Sequence, residues 1–93
     1  MDAKEAIVRA KSYFSDMFAE EGITNIGLEE VRRENQDDNW LITLGFSWIW
    51  DAKSSIPVLA GRPGNVPRFY KTVRIKDSDG SLVSITNRPV NDQ

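Results

Sequence analysis

The sequence predicts an α+β fold, with one N-terminal helix packed on a curved four-stranded antiparallel meander in the order α-β-β-β-β. Three observations carry this. Apolar residues recur at three- and four-residue steps near the start. Every second position from Trp40 to Trp50 is large and apolar. Asp77-Ser78-Asp79-Gly80 then separates two short alternating segments in the manner of a hairpin turn.

The helix is expected over about 3–21. Asp2 and Glu5 have the spacing of a capping box, and Ala3, Ala6, Ile7, Ala10, Phe14, Met17 and Phe18 form one apolar stripe. Gly22 is the expected residue beyond its C-terminus. A first strand follows over about 26–34. Its alternation slips between Leu28 and Val31, which calls for a bulge, and Glu29, Glu30, Arg32 and Arg33 suit an edge strand that must resist further pairing. After a polar turn at 35–39, the second strand is expected over about 39–50. Trp40, Ile42, Leu44, Phe46, Trp48 and Trp50 occupy one face, and Leu41, Thr43, Gly45, Ser47 and Ile49 the other. Residues 51–67 contain three prolines and two glycines and read as a long loop. The third strand is expected over about 68–76, with Phe69, Val73 and Ile75 facing inward. Tyr70, Thr72, Arg74 and Lys76 face outward. A short last strand over 81–86 sends Val83 and Ile85 inward, and 87–93 reads as a tail.

Ninety-three residues suit a single domain, 1–93. There is no cysteine, so disulfides and thiolate metal sites are excluded; there is no histidine, so imidazole bases and the commonest zinc ligands are excluded as well. Catalysis would rest on carboxylates, lysine or tyrosine alone, and no cofactor or metal site is expected. No run of about eighteen apolar residues is present, and the start lacks the pattern of a signal peptide, so a cytoplasmic protein without membrane association is expected. Charge is split: residues 1–46 carry five Lys/Arg against ten Asp/Glu (net −5), and residues 47–93 seven against four (net +3). The two halves are thus electrically opposed.

This helix-then-meander order resembles cystatin-like and PepSY-like modules. The run of helix, Trp40-x-Ile42, Tyr70-x-x-Val73, Asp79-Gly80-x-Leu82 and basic Arg88 is similar to the gas-vesicle accessory proteins of the O type. The resemblance implies the fold and carries over no functional residue. Val58-Leu59-Ala60-Gly61 resembles the protease-contacting hairpin loop of cystatins, but the glutamine that opens that motif is absent, which speaks against protease inhibition.

Other constellations read more simply as structure. Asp77-x-Asp79-Gly80-Ser81 has the opening of a calcium loop, yet the position that needs glutamate is Arg88; turn chemistry is the better reading. Lys53-Ser54-Ser55 lacks any partner for a Ser-Lys dyad. A solvated outer sheet face, with Gly45 permitting curvature, is favoured over a docking surface. Trp48 and Trp50 are the exception. A helix of nineteen residues spans roughly 28 Å and a twelve-residue strand roughly 40 Å. Either the 51–67 loop or a second chain must then cover them.

The function that fits is a small non-enzymatic interaction domain, of accessory, inhibitor or immunity type. Its partner would be an unidentified protein or a second copy, with nucleic acid disfavoured by the scarcity of interleaved basic and aromatic residues. The candidate surface is Trp48, Trp50, Tyr70, Arg74 and Lys76. The alternative is a ligand-binding or enzymatic domain with a cleft between helix and sheet.

Overall fold

The computed structural model describes residues 1–50 and 67–88. Helix α1 (Ala3–Met17) is followed by strands β1 (Ile23–Glu34), β2 (Asn39–Trp48), β3 (Phe69–Lys76) and β4 (Leu82–Asn87). The strands form one antiparallel sheet in the order β1-β2-β3-β4. This is the expected α+β architecture.

Asp2 caps α1, its carboxylate accepting from the Glu5 backbone N–H at 2.8 Å. That satisfies one of the donors a helix start leaves open. The helix ends four residues earlier than expected. Phe18 is its C-cap, and turns through Glu21 lead to Gly22, whose φ of 76° is left-handed backbone that suits glycine. Ala6, Ala10 and Phe14 are fully buried against Ile42, Leu44, Phe46, Val73 and Ile75. Small residues on the first two turns let the helix lie close to the sheet, and Phe14 fills the far end, its ring 5.3 Å from that of Phe46. Met17, placed in the stripe by sequence, is instead 62% exposed, because the chain leaves the helix beside it.

β1 starts earlier than expected, at Ile23, and contains the bulge. The β1–β2 register shifts between Leu28 and Glu30, and a second shift lies between Thr24 and Gly27. Leu28 and Val31 face the same side as the core, opposite Leu44 and Ile42, yet both remain exposed because the core cluster gathers around β2 and β3. β2 stops at Trp48, not at Trp50. Ile49 and Trp50 turn into helical backbone, and the Ile49 N–H donates to the Gly22 carbonyl. The β3–β4 hairpin forms at the expected turn, with the Lys76 N–H donating to the Ser81 carbonyl at 2.9 Å. Val83, expected inward, is exposed. A register shift between Arg74 and Ile75 leaves it without a cross-strand partner, and Leu82 and Ile85 pack toward the helix in its place. Asn87, expected in the tail, closes β4 by pairing with Lys71.

The outer face is less exposed than expected. Ser47 is fully buried and Thr43 and Thr72 nearly so; the two threonine hydroxyls lie 3.1 Å apart in a hydrogen bond. Arg68 is one reason. Its side chain crosses β2 to donate to the Asn25 carbonyl on β1 at 2.7 Å, with the Glu29 carboxylate 3.8 Å away. A Cβ on Gly45 would sit 2.8 Å from that guanidinium and 3.0 Å from the carboxylate. Gly45 is thus the gap through which Arg68 straps β3 to β1, a role distinct from the curvature expected of it.

Candidate functional site

The two ends of β2 differ. At the Trp40 end, the indole N–H donates to the Asp77 carboxylate at 2.8 Å and the Arg33 guanidinium lies 5.3 Å from the ring centroid. Arg33 also reaches Asp38 at 2.6 Å and Asp77 at 3.6 Å. The Trp40 hydrogen bond, helped by the N-terminal ammonium and Arg33, holds the Asp77 carboxyl below the ordinary carboxylate range. Asp79 is lowered in the same direction by hydrogen bonds from Ser81. Both carboxylates of the turn that resembled a calcium loop are therefore occupied by the protein's own donors. Among the described residues no group of three or more acidic side chains could hold a metal ion.

At the Trp48 end, Phe46, Trp48 and Phe69 form an aromatic floor, with ring centroids 5.4 to 6.2 Å apart. Trp50 stacks on Trp48 at 4.9 Å with 5° between the planes. Residues i and i+2 of a continuing strand would stand roughly 7 Å apart. The helical turn at Ile49 closes that distance and makes Trp50 a cover for Trp48. Trp50 is itself 57% exposed. The expected lid, residues 51–67, lies outside the described residues apart from Pro67, whose carbonyl accepts from Ser47 at 3.1 Å.

Beside this floor, at the corner where β3 begins and β4 ends, lies a cleft of about 460 Å³. Phe46, Trp48, Phe69 and Tyr70 line it together with Arg68, Lys71, Asn87 and Arg88. Lys71 Nζ donates to the Asn87 side-chain oxygen at 2.7 Å and sits 5.9 Å from the Phe18 ring. The Arg88 guanidinium lies over Tyr70 at 4.5 Å. Arg9, Arg33, Arg68 and Arg74 each have a carboxylate within 4 Å. Lys71 and Arg88 have none among the described residues. They rest on aromatic faces, where a cation is held only weakly and stays available to an anion.

Of the five residues proposed from sequence, Trp48 and Tyr70 line the cleft and Trp50 stacks beside it. Arg74 and Lys76 do not belong. They pair with Leu41 and Asn39 at the opposite end of the sheet, and Arg74 is held 3.4 Å from Glu34. Alternation correctly put Tyr70, Arg74 and Lys76 on one face, but four residues of strand separate Tyr70 from Arg74 by roughly 13 Å. Phe46 is core, as expected, and also lines the cleft; Phe69, expected inward, is 40% exposed, and Arg68, Lys71, Asn87 and Arg88 were not expected here. The available signal was basic residues at strand ends, Arg68 before β3 and next to Phe69 and Tyr70, and Arg88 after β4.

The fold and this corner define a small α+β domain with an aromatic, cation-rimmed cleft. No protein-family model, no curated protein and no solved structure matches the chain. Among the described residues no helix is long and apolar enough to cross a membrane.

Proposed function

We propose that this chain is a small protein-interaction domain that receives an acidic, aromatic segment of a partner protein in the corner cleft. One observation carries the reading: two cations with no carboxylate among the described residues, Lys71 and Arg88, line the same cleft as Phe46, Trp48 and Phe69. Aromatic anchors supply contact area, and unpaired charges of one sign select the opposite sign in the partner. The cleft volume also falls within the range of small-ligand sites. Its position favours an extended chain, because it opens at the sheet edge. The space between helix and sheet, the other candidate cleft, is filled by Ala6, Ala10 and Phe14.

The test is a fluorescence titration with a synthetic decapeptide rich in Glu and Phe, monitored through the tryptophans at two salt concentrations. Binding should weaken with salt, and Lys71→Glu and Arg88→Glu should each lose at least about tenfold in affinity, equivalent to about 1.4 kcal/mol. Binding that ignores both charge reversals, or no binding at millimolar peptide, overturns the reading.

A further inference from the structure

The sheet has two edges, and they are built differently. β1 carries Glu29, Glu30, Arg32, Arg33 and Glu34, two register shifts, and Asn25 at a φ of 57°. Charges, bulges and irregular backbone are the devices that keep an edge from accepting another strand. β4 reads Leu-Val-Ser-Ile-Thr-Asn and has no charged residue. Its single irregularity lies at the start, around Val83, and Ser84 to Asn87 continue in unbroken register with β3. Among the described residues no strand lies beyond it.

The backbone groups β4 leaves open follow from alternation. The Lys76 N–H points to Ser81, toward β4. Every second residue of β3 points the same way, so Arg74 and Thr72 also turn their backbone groups toward β4. Their partners Ser84 and Thr86 are consumed in that ladder, while Ile85 and Asn87 present N–H and C=O outward. These two residues are a short free template ending at the cleft.

We infer that β4 accepts an extended partner segment as a fifth strand, whose side chains alternate apolar, acidic and aromatic on the helix side of the sheet. This rests on the cleft reading and names how the partner is held. The pattern is dictated by the rows across the sheet. An incoming residue beside Ile85 continues the apolar row Ile42–Val73–Ile85. Two residues along, the row is Leu44–Lys71–Asn87, and an acidic side chain there is drawn to Lys71. Two further along, the row is Phe46–Phe69, which β4 does not reach, and an aromatic side chain enters the cleft over that floor. Main-chain hydrogen bonds supply affinity in strand addition, and alternate side chains supply specificity.

The experiment is amide hydrogen exchange followed by NMR on the full chain, with and without a decapeptide carrying Val-x-Glu-x-Phe at its centre. In the free protein the Ile85 and Asn87 amides should exchange quickly and that of Thr86 slowly. With peptide, Ile85 and Asn87 should gain at least about tenfold protection, while Thr86 changes little. The same peptide N-methylated at alternate amides, with every side chain kept, should lose at least about tenfold in affinity. Binding that shifts Trp48 and Phe69 resonances without protecting Ile85 and Asn87 overturns strand addition and leaves the cleft reading standing. Absence of any binding overturns both. Protection of β4 without peptide that rises with protein concentration assigns the edge to a second copy, and also overturns the inference.

Discussion

Trp40 and Trp48 stand on the same face of the same strand, eight residues apart, and their surroundings are opposite. Trp40 is tied down: Asp77 accepts its indole proton and Arg33 covers its ring. Trp48 is covered by a neighbour that is itself more than half exposed, and next to it two cations rest on aromatic rings with no carboxylate partner among the described residues. A protein can bury an aromatic residue by satisfying everything around it or by leaving something for another molecule to complete. Polar satisfaction marks the Trp40 end as structural. The Trp48 end, with an exposed aromatic cover and two cations on aromatic rings, is where the proposed partner would dock.

The comparison breaks first on Phe14. It is the fully buried residue that joins helix to floor, 4.7 Å from Phe18 and 5.3 Å from Phe46. Phe14→Ala should cost on the order of 3–5 kcal/mol in a urea titration, a large part of a small domain's stability. A loss below about 1 kcal/mol would mean that the helix contributes little to the core and that the floor stands without it.

Trp50→Ala sharpens the contrast at the open end. A stacked aromatic pair is worth roughly 0.5–1.5 kcal/mol beyond its burial, so stability should fall only modestly. The remaining emission should shift to the red as Trp48 meets water, while the contribution of Trp40 stays in place. Emission that does not move would show that Trp50 is no cover for Trp48.

The smallest effect is expected at the closed end, from pH. Folding lowers the pKa of Asp77 below its usual 3.8, chiefly through the Trp40 hydrogen bond. A carboxylate whose folded pKa is depressed adds stability that is complete above the unfolded value and disappears as pH falls through the folded one. Wild-type stability should therefore decline as pH drops below about 4, and Asp77→Asn should flatten that decline while leaving cleft binding at neutral pH unchanged. An identical acid slope in the two proteins would remove Asp77 from the account of the Trp40 end.

Much of the fold was legible in particular residues. Asp2 and Glu5 marked the helix start, the slip between Leu28 and Val31 marked the β1 bulge, and Gly80 marked the hairpin. The inner face of β2 was legible from Trp40 to Trp48. These are local signals: spacing along a few residues decides which face a side chain takes, whatever the rest of the chain does. The errors fell where an element stops or where a side chain travels. Nothing in the spacing of Trp48 and Trp50 reveals that the backbone turns helical at Ile49, because alternation continues through the turn. Nothing near Gly45 reveals that Arg68, twenty-three residues later, passes over it.

By itself, then, the sequence determined the order of elements, the helix cap, the hairpin and the apolar face of the sheet. Tertiary structure alone decided the cleft. Phe46 comes from the middle of the chain and Lys71 and Arg88 from its last third, and they share a cleft because antiparallel register brings the start of β3 and the end of β4 to one corner. Tertiary structure also separated Arg74 and Lys76 from Trp48, since residues on one face of a strand still lie a strand's length apart. Face is set by a period of two residues, which a sequence displays. Position along the sheet is set by register between distant strands, which exists only once they have paired.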